Sequence, residues 1–116
     1  MRIATEKSKL AGTWHILEMS GWDADYINME VQAYIRIGKN GIGEFQFGLV
    51  SGQVNGRFEK DADGPVFDFT WEGSDEGDDM SGDGWISAGD DGTAEGEFRI
   101  HMGDISLFRA RKVMLE

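Results

Sequence analysis

Val66-Phe67-Asp68-Phe69-Thr70-Trp71-Glu72 puts an aromatic ring at every second position, with Asp68, Thr70 and Glu72 between. Successive side chains of a strand point to opposite faces, so this alternation predicts a β-strand with one buried and one solvated face. The same period recurs in both directions along the chain. It gives about eight segments: Gly12 to Ser20, Ala33 to Gly38, Gly43 to Leu49, Gly52 to Lys60, Val66 to Glu72, Ser81 to Ala88, Ala94 to His101 and Ile105 to Val113. Short reversals separate them. Lys39-Asn40-Gly41, Asp63-Gly64, Asp91-Gly92 and Met102-Gly103-Asp104 are hairpin signals, while Gly48-Leu49-Val50-Ser51 lacks a clear turn pair, so that segments three and four either form one long bent strand or meet at a bulge. Links this short join antiparallel neighbours and leave no room for crossover helices. Only Gly21 to Gln32 reads as helical, with Asp23 as N-cap and Ile27 and Val31 four residues apart. The expected fold is all-β: a single domain over residues 1–116, an eight-stranded antiparallel up-and-down barrel with one short helix after strand 1. Closure removes the exposed edges that would template aggregation. A Greek-key or sandwich arrangement of the same strands is the rival.

Gly12-Thr13-Trp14 opens the first segment and Phe108-Arg109-Ala110-Arg111 closes the last. Together with the helical stretch after the first strand and the meander, these residues resemble the lipocalin or calycin superfamily. That resemblance implies that Trp14 closes the barrel base and that Arg109 or Arg111 packs over it. The chain departs from that family's pattern in being short, in lacking cysteine and in ending without a long helix after the last strand. The runs Phe69 to Glu76 and Gly82 to Trp85 also resemble small bacterial proteins of unassigned function, a likeness that transfers no site.

A length of 116 residues suits one modest core. The 17 glycines, without a collagen period and beside alternating aromatics, point to tight turns and strand kinks. Cysteine is absent, so disulfides and thiolate chemistry are excluded. Met1 to Leu10 shows no apolar run of signal-peptide type, which makes a soluble cytoplasmic location the expectation. The net charge of −11 is unevenly spread, with fourteen of the 22 acidic residues and a single basic one, Lys60, between Glu59 and Glu97. Such a surface argues against nucleic acid and against anionic membranes as partners.

If the apolar parity faces inward, Trp14, Phe45, Phe47, Phe58, Phe67, Phe69, Trp71, Phe98 and Phe108 enter the barrel. Gly52, Gly56, Gly82, Gly84 and Gly96 then make room for them. The rings either fill the interior or line a cavity for a small apolar ligand. In the second case Trp22, Tyr26 and Met29 form a lid and Phe45, Phe67 and Phe69 the wall. The acids from Glu72 to Asp83 read as a solvated loop, since their spacing does not match an EF-hand. His15 and His101 fall on the polar parity and form no metal-binding motif. No cofactor, metal or catalytic residue is predicted. Three functions stay open: a non-enzymatic carrier of a small apolar ligand, a filled barrel whose acidic face meets a basic protein partner, and an enzyme whose turnover would depend on His15 or His101.

Overall fold

The computed structural model describes residues 9–62, 64–89 and 91–113. Met1 to Ser8 and Asp63, on which two of the expectations fall, lie outside the described residues. Eight strands follow one another around a closed barrel: β1 (Gly12–Met19), β2 (Tyr34–Ile37), β3 (Ile42–Phe47), β4 (Val50–Asp61), β5 (Gly64–Asp75), β6 (Asp78–Ala88), β7 (Thr93–Ile100) and β8 (Ile105–Lys112). A single helical turn, α1 (Ala24–Ile27), lies between β1 and β2. Every neighbour in sequence is an antiparallel neighbour in space, and β1 pairs with both β2 and β8. The up-and-down order is therefore established and the sandwich arrangement is excluded.

Three local features differ from the expected pattern, each for a structural reason. First, β3 and β4 are separate strands joined by the two-residue turn Gly48-Leu49, with Phe47 opposite Val50. Gly48 has φ +57°, and a Cβ there would collide with the Tyr26 ring, so glycine is required for both the turn and the packing. Second, the acidic stretch is not a loop. β5 and β6 run on to a hairpin that turns through Glu76 and Gly77, at φ 53° and 91°, with Asp75 opposite Asp78. Positive φ at both central residues is the type I′ pattern, whose twist matches that of the flanking strands. Third, the register between β1 and β8 shifts between Ile16 and Glu18. This bulge accommodates an extra residue, so Trp14, Ile16 and Met19 all face inward although strict alternation would turn Met19 out.

Large apolar side chains meet one another across the interior. Trp14, Phe45, Phe47, Phe67, Phe69, Trp71, Phe98 and Phe108 are all buried, and Phe58 is partly buried against them. Trp71 and Phe98 stack at 4.7 Å between centroids, and Phe45 meets both edge-on at 5.3 and 5.2 Å. Each ring removes about 150–250 Å² from water, so these contacts dominate the core. The glycines opposite make that density possible. A Cβ on Gly96 would stand 2.6 Å from Phe108 Cζ, and one on Gly84 2.8 Å from Phe69 Cζ.

Each end is closed by different chemistry. At one end the Trp14 indole N–H donates to the Leu10 carbonyl at 2.9 Å. Lys112 Nζ lies 5.6 Å from the Trp14 ring centroid. At the other end the Asp23 carboxylate caps α1 by accepting from Tyr26 N–H at 2.9 Å, and Ile27 is fully buried. Trp22 lies 5.0 Å from Phe47 between ring centroids. Val31 lies beyond the helix and is exposed. The buried Ser106 hydroxyl accepts from Gly21 N–H at 2.9 Å and donates to the Leu107 carbonyl at 3.0 Å, tying the chain leaving β1 to β8.

Candidate functional site

The residues expected to bind an apolar ligand divide into three settings. Trp22 and Tyr26 are half-buried over the barrel end that contains Phe47 and Gly48. The Tyr26 hydroxyl accepts from Leu49 N–H at 3.4 Å. Met29, in contrast, is 52% exposed. Phe45 lies within the Phe47, Trp71 and Phe98 cluster. Phe67 and Phe69 are adjacent at 5.7 Å, with Phe58 on the far side of Phe67, towards the opposite end of the barrel. The fold thus brings Trp22 and Tyr26 together with the Phe45 cluster but leaves Phe67 in another layer.

The closure residues are also resolved by parity. Ser106, Phe108 and Ala110 face inward, so Arg109 and Arg111 face out and are exposed. Arg109 pairs with Glu18 at 2.7 Å. The cation over Trp14 is Lys112, and its partial burial lowers its pKa from 10.5 because desolvation disfavours the charged form.

Outside the barrel, the polar faces of β4 to β7 gather the acidic residues. Cross-strand register sets Gln53, Glu72 and Ser81 in one row, Arg57, Asp68, Trp85 and Glu97 in another, and Asp83 beside Arg99. Arg99 is the central cation. Its Nε and one terminal nitrogen grip the Asp83 carboxylate at 2.9 and 3.1 Å, and its other nitrogen reaches Glu97 at 3.1 Å. The Asp83 carboxylate, by this bidentate contact, raises the Arg99 pKa further above its already high value. Glu97 also accepts from the Trp85 indole N–H at 3.3 Å. Sequence reading placed Trp85 in a strand and outside the inward set, and the full burial of its neighbour Ile86 agrees with that outward direction.

Beyond this network the β5–β6 hairpin projects past the end of β7, whose pairing with β6 stops at Gly82 and Ile100. Asp75, Glu76, Asp78 and Asp79 surround its tip. Among the described residues no ion pair reaches these four. A groove runs beside the hairpin, lined by Gln53, Glu72, Asp79, Met80, Ser81 and His101. His15 sits on the outer side of β1 between Tyr34 and Arg111, while the exposed His101 lies in the turn between β7 and β8. Among the described residues no three His, Cys, Asp or Glu side chains converge as a metal site, and no helix is long and apolar enough to cross a membrane. No protein-family model, curated protein or solved structure matches this chain.

Proposed function

We propose that this protein is a non-enzymatic interaction module, a lipocalin-like barrel with a filled core that recognises a basic protein surface through the acidic face of β4 to β7 and the β5–β6 hairpin. The observation that carries this reading is the hairpin tip, where four carboxylates project without a cationic partner among the described residues. Like charges at this density repel one another in the free protein, and a cationic partner relieves that repulsion while gaining steered association. The ring contacts of 4.7 to 5.3 Å among Phe45, Trp71 and Phe98 support a core that serves as scaffold.

A lysine-rich peptide with alternating apolar residues is the appropriate probe, followed by fluorescence anisotropy. Its affinity should fall at least about tenfold as salt rises from low to physiological strength, because the Debye length shrinks to about 8 Å. Replacing Asp75, Glu76, Asp78 and Asp79 by Asn or Gln should remove most of that dependence. Equal affinity at both salt strengths would sink the proposal. Native mass spectrometry of gently purified protein addresses the carrier function. A mass excess that disappears on denaturation would replace the interaction module with a carrier of a small ligand beneath Trp22 and Tyr26.

A further inference from the structure

The outer surface of β8 breaks the pattern of the other strands. Ile105 is 62% exposed, Leu107 58%, and Met102, in the preceding turn, 94%. Outward positions elsewhere on the sheet are mainly polar or charged, so three large apolar side chains in one strip form an exception. Contiguous apolar surface rimmed by polar residues marks a contact site. Met102 adds a second observation. It adopts φ 59°, a left-handed conformation that favours glycine or asparagine, yet it carries a long apolar side chain into solvent.

The neighbours of the strip indicate what covers it. Register places Arg99 beside Ile105 and Glu97 beside Leu107, so two adjacent rows each carry one apolar residue and one charge, of opposite sign. A two-fold axis crossing β8 between these rows lays Ile105 on Leu107 of a second copy. The same rotation lays Arg99 on Glu97 of that copy. A surface complementary to itself is the requirement of an isologous dimer. The acidic hairpin cannot serve this way, because two copies would bring only carboxylates together.

We propose that the outer face of β7 and β8 is a homodimer interface in which the Ile105–Leu107 strips pack antiparallel about a two-fold axis, with Arg99 and Glu97 exchanging partners across it. The outer faces of β4 to β6 and the β5–β6 hairpins then stay outside the contact, and a dimer offers both to a partner.

Sedimentation velocity on the full chain tests this. At about 100 µM the protein should sediment at twice its 12.9 kDa mass and shift towards monomer on dilution. Leu107→Asp should leave the fold intact by circular dichroism, since Leu107 is exposed, and should abolish the dimer. Ile42→Asp, the same change at a 53% exposed position on β3, should leave it unchanged. The chain has no cysteine, so introduced thiols are unique. Mixing Ile105→Cys with Leu107→Cys should give the mixed disulfide in preference to either homodisulfide. A monomer at every concentration would overturn the proposal. So would a dimer indifferent to Leu107→Asp, or one lost equally in Ile42→Asp.

Discussion

At the scale of single residues, the alternation of ring and polar side chain decided which faces are buried, and the glycines set how closely the rings pack. Gly96 faces inward on β7, and a Cβ there would meet both the Phe108 ring and the Trp85 carbonyl. The ring could shift, but the carbonyl belongs to the β6–β7 ladder. Gly96→Ala should therefore destabilise by about 2–3 kcal/mol, at the upper end of overpacking costs, as a lower urea midpoint. The same parity could have identified the cation over Trp14. Phe108 and Ala110 face inward, so the next inward position on β8 is Lys112, whereas the family resemblance pointed to Arg109 and Arg111. Lys112→Ala removes both the ring contact and the Nζ hydrogen bond to the Lys9 carbonyl at 3.1 Å and should cost about 1 kcal/mol, and Arg111→Ala should fall below that in the same melts. One acid carries a pH signature. The Asp91 carboxylate accepts from the Thr93 hydroxyl and from its backbone N–H, which together hold its pKa below the usual 3.8. A lowered acid contributes stability that is complete above the unfolded value and is lost as pH falls through the folded one. NMR titration should show Asp91 moving up towards 3.8 in Thr93→Val, and an unmoved value would remove the hydroxyl as the main cause.

At the scale of elements, every strand was legible because each has a buried face that alternates over most of its length, β1 as far as its bulge. The acidic hairpin was not. From Gly73 to Ser81 the inward parity falls on Gly73, Asp75, Asp78 and Met80, of which Met80 alone is a large apolar residue, so no run of apolar residues marks the strands, and Glu76-Gly77 lacks the asparagine or aspartate usual in a type I′ turn. Backbone pairing with β4, which continues to Val50 opposite Asp75, carries the extension instead. The consequence is a tip held on one side only. Gly77→Ala places a Cβ at φ 91° and should cost about 1–2 kcal/mol. Strain in the closed tip raises the folded state against every open state. Amide exchange from Ser74 to Asp79 should accelerate about tenfold, and the melting temperature should fall by roughly 4–8 °C for about 1 kcal/mol. Amides at the tip as protected as those of the barrel core would mean that the hairpin opens only with the whole barrel. The candidate interaction surface was legible in part for the same reason: composition located the acids, but only the hairpin shows that four of them share one projecting tip.

At the scale of the whole molecule, the sequence order of hairpins implied closure, and closure places charges that are distant in sequence on one side of one surface. The chain carries −11 overall, while the excess acid between Glu59 and Glu97 is opposed there by Lys60 and by the flanking Arg57 and Arg99, of which Arg99 reaches across to Asp83. Two electrostatic contributions then compete in the folded state. The Asp83–Arg99–Glu97 contacts are attractive and weaken with salt, but exposed pairs contribute only about 0–1 kcal/mol. Repulsion among the remaining acids acts over a Debye length of about 10 Å at 0.1 M and is relieved by the same salt. With more than twice as many acids in this region as cations near it, repulsion should dominate. Sodium chloride raised from about 10 mM to about 300 mM should lift the melting temperature by several degrees, since about 1 kcal/mol moves a domain of this size by roughly 4–8 °C. Asp78→Asn with Asp79→Asn should raise the low-salt melting temperature and shrink the salt increment. A melting temperature that fell with salt would mean instead that the Arg99 network outweighs the repulsion, and the acidic face would then be a stabilised surface with little to gain from a cationic partner.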